Sequence, residues 1–173
     1  MDNHFTIENI DRTIYVTTSV KPKFYAYFLL FIVIGVLLIP LIFVGFTTPD
    51  SMMLSSTFIV LWILFPTKYA WWNVFGTEIL IINDKSISYQ YDFGLIQSQL
   101  ISKPYKDLTI NLENLIINDN NYFGKIYFFE EDELTGLKKV LHQTSIYISN
   151  EQFSYLTDEI AKSQISPEYF SLN

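Results

Sequence analysis

Residues 24–49 read FYAYFLLFIVIGVLLIPLIFVGFTTP, 26 residues without one charged side chain. After Asp50, residues 51–67 (SMMLSSTFIVLWILFPT) form a second uncharged run. A helix of about 20 apolar residues covers a hydrocarbon core of roughly 30 Å. The two runs are therefore expected to form a transmembrane helical hairpin, with spans at 24–46 and 54–72. Pro66 is expected to kink the end of the second span, and Lys68 to reach the headgroups. Trp71 and Trp72 fall where an aromatic belt is expected. With Lys21 and Lys23 before the first span, the expected interface anchors are Lys21, Lys23, Lys68, Trp71 and Trp72.

The connector at residues 47–53 carries no positive charge. The positive-inside rule then puts both termini in the cytoplasm. No Asp, Glu, Arg or His lies mid-span, which argues against a proton relay or an ion-coupled transporter. A cleaved signal peptide is not expected, because the run exceeds an h-region, follows acidic residues and lacks an A-x-A site.

The rest of the composition is read against that run. Hydrophobic residues make up 50% of the 173-residue chain, and the excess is concentrated in the two uncharged runs. Cysteine is absent, so disulfides, thiolate zinc sites and thiol nucleophiles are excluded. The net charge of −7 is also local: residues 1–72 carry four basic and four acidic side chains, residues 73–173 seven lysines and fourteen acids. An acidic body is repelled by phosphate backbones, so no nucleic-acid polymer is expected as a partner.

After Gly76 the pattern changes to short runs of β-branched and aromatic residues, punctuated by Asn, Asp and Gly. Candidate strands are residues 77–82 (TEILII), 86–91 (SISYQY), 95–102, 109–117, 122–129, 137–142 and 145–148. Residues 13–20 (TIYVTTSV), ahead of the first span, are β-like as well and are expected to contact the same body. About seven strands in a meander suggest a small antiparallel barrel. Ser149 with Gln152 forms a capping-box pattern, and Phe153, Leu156 and Ile160 recur at helical spacing, which predicts a closing helix over 150–161. The fold class expected is α+β: a two-helix hairpin plus a β-barrel domain at 73–173, with residues 1–23 as an N-terminal β-like segment. Residues from Gln164 onward read as a tail.

The order of features resembles a family of small bacterial membrane proteins with pleckstrin-homology-like domains. The resembling features are the β-like N-terminus, Lys21-Pro22-Lys23, the two uncharged runs, Phe75-Gly76-Thr77-Glu78 entering Ile79–Ile82, Phe93-Gly94, and Gly124–Phe128 before a closing helix. The resemblance implies a PH-like barrel of about seven strands at the cytoplasmic face of a bacterial inner membrane, in a multi-pass protein. It departs from phosphoinositide-binding PH domains at Asn83-Asp84-Lys85, where one lysine stands in place of a basic cluster. The partners it suggests are the lipid bilayer and a protein or peptide, with a homo-oligomer left open.

No catalytic set emerges. His142 has no Ser or Asp at a recognisable spacing, and His4 lies near the terminus; the expectation is no enzyme and no cofactor. The acidic run Glu130-Glu131-Asp132-Glu133 invites calcium, but calcium loops alternate their oxygen ligands around a Gly, so the run reads as a solvated loop and no metal is expected. Gly94, Gly124 and Gly136 are isolated and are expected in turns or bulges. Tyr89, Tyr91, Tyr122, Tyr127 and Tyr147 could line an aromatic pocket, although filling the core is the plainer reading. Lys103, Lys106, Lys125, Lys138 and Lys139 are the candidates for a basic ligand site. The function expected is a non-enzymatic integral membrane protein that presents its barrel for protein or peptide interaction. The alternative is a cyclic-nucleotide-gated, two-span, membrane-disrupting effector of antiviral defence.

Overall fold

A computed structural model describes the backbone of residues 4–44, 49–94, 96–118, 121–131 and 136–163, and their side chains except at 40–44, 49–52, 54, 114, 118 and 121. The fold begins with a hairpin of His4–Ile10 (β1) and Thr13–Ser19 (β2). Asp11 and Arg12 close it, both with positive φ, 49° and 63°. A two-residue loop needs that conformation to match the right-handed twist of the flanking strands.

β2 pairs antiparallel with Thr77–Ile82 (β3), across all the intervening helical residues. β3 pairs with Ser86–Asp92 (β4), and β4 with Ile101–Pro104 (β5), giving a five-stranded sheet in sequence order. The second sheet joins Thr109–Asn118 (β6), Asn121–Glu131 (β7) and Lys138–Gln143 (β8), with the short Ile148–Ser149 (β9) also on β7. Strand alternation puts Ile14, Val16, Leu80, Ile82 and Ile87 of the first sheet into one buried cluster with Ile110, Ile126, Phe128 and Leu141 of the second. Asn150–Lys162 (α4) adds Phe153, Leu156 and Ile160 to the same core. Its start is fixed by a full capping box: the Ser149 hydroxyl accepts from the Gln152 N–H, and the Gln152 side chain accepts from the Ser149 N–H.

Between β2 and β3 lie Phe24–Val44 (α1), Pro49–Trp62 (α2), a π-helical turn at Ile63–Thr67 that contains Pro66, and Lys68–Phe75 (α3). Small residues let α1 approach α3: Ala26, Leu30 and Val33 pack against Ala70 and Val74. The Trp62 indole N–H donates to the Val33 carbonyl at 2.9 Å. On the outside of this helical layer, Phe24, Phe28, Phe31, Phe65 and Tyr69 are exposed.

The expectation of two spans is corrected by this arrangement. No helix among the described residues is long and apolar enough to cross a membrane. The second run is shared among α2, the π-turn that contains Pro66 and α3, which are 14, 5 and 8 residues long. An absence of charge reports contact with apolar atoms without saying what supplies them, and part of the run is spent on the contact between α1 and α3. The transmembrane hairpin at 24–46 and 54–72 is therefore withdrawn. So are the multi-pass inner-membrane location with cytoplasmic termini, the integral-membrane function and its two-span effector alternative.

The barrel is corrected too. Among the described residues no ladder joins the sheets, which end at β1 and β5 on one side and at β6 and β8 on the other, so the strands do not close. The strand expected over 95–102 shrinks to β5 because Asp92, through its carboxylate bonds to the Gly94 N–H and the Gln97 amide, organises a loop there. The tail from Gln164, residues 47 and 48 of the connector and the acids at 132 and 133 lie outside the described residues.

Candidate functional site

The start of the helical layer meets the second sheet at a cleft. Gly76 makes the junction. It ends α3 with an extended backbone, and its carbonyl accepts from the Val20 N–H at 2.8 Å. A Cβ at Gly76 would lie 2.4 Å from the Trp72 carbonyl oxygen and 2.6 Å from the Trp72 ring, so only glycine allows the indole to fold back over the chain. Trp72 then meets Tyr91 edge to face, with ring centres 5.7 Å apart, and tilts against Phe93 at 5.2 Å.

The resulting cleft holds about 510 Å³ and is lined by Val20, Lys21, Pro22, Lys23, Tyr25, Ala26, Trp72, Asn73 and the segment Ser145, Ile146, Tyr147. That volume is in the range of small-ligand sites, roughly 300–1,000 Å³. Among the described residues its lining contains two lysines, three aromatic rings and an amide, and no carboxylate. In a chain of net charge −7 this is a local inversion of sign. Lys125 stands 5.2 Å from the centre of the Tyr147 ring.

Directly behind the Ser145–Ile146 wall lies a buried polar pair. Glu78 belongs to the inward phase of β3, with Leu80 and Ile82, and is 2% exposed. Its Oε1 lies 2.8 Å from Nε2 of His142, which is 5% exposed. Its Oε2 accepts from the Ser145 N–H at 2.8 Å and from the Ile146 N–H at 3.4 Å. The Tyr89 ring stacks on the His142 imidazole with centres 4.0 Å apart. Tyr91 hydrogen-bonds the Ser145 side chain; burial pushes its phenol up, opposed by that bond and reinforced by Glu78 and Tyr89. Thr144 fixes the other side of the turn, exchanging backbone and hydroxyl bonds with Ile126 at 2.9 Å. The pair therefore ties β3 of one sheet to β8 of the other and holds the cleft wall through its backbone.

The expected interface anchors are redistributed. Lys21, Lys23 and Trp72 line the cleft. Lys68 lies 4.7 Å from the Phe93 ring centre. Trp71 packs on Phe75 at 5.1 Å, and its indole N–H is buried with no acceptor among the described residues.

The candidate basic residues do not converge. Lys103 donates to the Leu141 carbonyl, and Lys138 lies over Phe129. The Lys106 N–H, together with Lys139, holds the Glu130 carboxyl below the usual range against an opposing effect of burial. Lys125 contacts the ring of Tyr147, a lining residue, without itself lining the cleft. Among the described residues no three His, Asp or Glu side chains come together as metal ligands. Tyr89 and Tyr91 face the polar pair and Tyr147 the cleft, while Tyr122 is exposed on β7.

Sequence reasoning missed Glu78. The available signal was its phase, since in TEILII the glutamate alternates with Leu80 and Ile82 on the inward face. It also read His142 as solitary, because its partner is 64 positions away. No family model, no curated protein and no solved structure matches the chain, so the pleckstrin-homology resemblance rests on the sequence features alone.

Proposed function

We propose that the protein is a non-catalytic binding module that captures an acidic segment of a peptide or protein partner in the cleft between α1, α3 and the β8–β9 connection. The observation that carries this reading is the cleft's composition: Lys21, Lys23, Tyr25, Trp72, Asn73 and Tyr147, with no lining carboxylate among the described residues, on a chain of net charge −7. Ammonium groups beside aromatic rings suit a carboxylate carried on an apolar stem. The cleft's walls come from packed elements, as a preformed site needs. The polar pair nearby supports positioning rather than chemistry, because both Glu78 oxygens are engaged and the pair is sealed from the cleft by backbone.

The test is fluorescence anisotropy of a labelled hexaglutamate peptide with the full chain. Saturable binding is expected, with no binding of hexalysine. Lys23→Glu, at an exposed position, should weaken hexaglutamate at least about tenfold, close to 1.4 kcal/mol. Equal binding of both peptides, or no change in Lys23→Glu, would contradict the proposal. Complete displacement by an equal concentration of inorganic phosphate would also count against a peptide site.

A further inference from the structure

We infer that two copies of this chain pair through the outer side of α1. The two helices run antiparallel about a two-fold axis near residue 33, so that Phe31 of each copy seats on Gly35 of the other.

α1 has two apolar sides. Ala26, Leu30 and Val33 are buried against Ala70 and Val74. On the opposite side Phe24, Phe28, Phe31, Gly35 and Leu38 are exposed, flanked by Tyr27 and Ile39. None of these seven lines the cleft. Phe24, Phe28, Phe31, Gly35 and Leu38 follow one another at alternating steps of four and three, which lays a straight seam along a helix. Helices pair along such a seam by fitting knobs into holes. Phe24 is 88% and Phe31 76% exposed. An aromatic side chain offers about 150–250 Å², so the exposed parts of the six large side chains come to on the order of 700 Å². A stable interface takes about 800 Å² from each partner.

The seam is its own complement. In an antiparallel pair centred on residue 33, Phe31 meets Gly35, Phe28 meets Leu38 and Tyr27 meets Ile39, so each ring of the first half faces a smaller residue of the second. A two-fold contact has this reciprocity. A Cβ added at Gly35 would meet nothing within 4 Å, so the backbone there is open to a ring laid across it. Charge does not oppose the pairing, because residues 24–49 carry none and the excess of acids lies in 73–173. Aromatic and charge-free is also the make-up of the centre of a homodimer interface. A lipid surface fits less well. Helices that lie on a bilayer carry Lys or Arg along a polar face, and α1 has neither. The nearby Lys21 and Lys23 line the cleft instead.

The measurement is sedimentation equilibrium of the full chain at micromolar concentration, with the mass of two chains expected. Phe31→Glu, at an exposed position, should weaken the dimer at least about thirtyfold and leave the far-ultraviolet circular dichroism unchanged. Because the chain has no cysteine, introduced thiols report the register directly. A mixture of Phe31→Cys and Gly35→Cys chains, oxidised with copper phenanthroline, should crosslink faster and more completely than either variant alone. A natural chain that stays monomeric, a dimer that Phe31→Glu leaves intact, or Phe31→Cys crosslinking alone as fully as the mixture overturns the pairing. So does a monomer that floats with phosphatidylglycerol vesicles and loses them in Phe31→Glu, which would assign the face to lipid.

Discussion

At the scale of single residues, three positions carry consequences that can be measured. Arg12 sits at φ 63° in the β1–β2 turn, a conformation that disfavours side chains with a Cβ. Arg12→Gly relieves that strain but loosens the unfolded chain. The net expectation is a gain of up to about 1 kcal/mol in urea unfolding. Gly76 is the converse. Gly76→Ala drives a methyl into the Trp72 carbonyl and ring, and should lose roughly 1–3 kcal/mol and shift Trp fluorescence. Tyr105 is 9% exposed and its hydroxyl donates to the Asn83 carbonyl. Burial first, and Asp84 second, push its phenol up to about 12. A raised pKa stabilises the fold fully below the unfolded value near 10, and that stability is lost as pH climbs from there toward 12. Urea unfolding should therefore weaken by roughly 2–3 kcal/mol across that window. In Tyr105→Phe the decline should be shallower, while stability at pH 7 falls by about 1 kcal/mol for the lost hydrogen bond.

Among the elements, α4 shows how far local pattern carries. Its cap, phase and buried face were all legible, because a capping box and a 3.6-residue period are local and do not depend on the rest of the chain. Ser149→Ala should destabilise by about 1 kcal/mol, read as earlier loss of helical ellipticity on heating. Among the strands, TEILII, read as residues 77–82, is β3 to the residue, whereas of the strands read at 95–102 and 145–148 only Ile101 and Ser102 fall in β5 and only Ile148 in β9. β1 was not assigned, since HFTIENI has weak alternation and is stabilised by its hairpin partner rather than by its own face. The helical layer was misjudged for a different reason. The charge-free run at 24–49 specifies apolar contact, whereas the packing of Ala26 on Ala70 and Val74 depends on residues more than forty positions apart. The candidate site was barely legible, because Lys21, Lys23, Trp72, Asn73 and Tyr147 come from three separate parts of the chain. Only the misplaced polarity of Glu78 on an inward face hinted at it.

For the whole molecule, the helical residues enter between two adjacent strands of one sheet, β2 and β3, and so must return the chain to that sheet. That return brings the start of α1 and the end of α3 beside the β8–β9 connection and opens a basic, aromatic cleft on an acidic chain. The inter-sheet pair of Glu78 and His142 stands behind it and fixes the wall. The central claim is that this cleft is where an acidic segment docks. The most direct test is nuclear magnetic resonance of the full chain titrated with hexaglutamate. The account predicts that the Trp72 indole N–H and the backbone amides of Ser145, Ile146 and Tyr147 shift together and saturate at one equivalent. Shifts confined to the exposed lysines of β8, Lys138 and Lys139, with the Trp72 and Tyr147 signals unmoved, would contradict it.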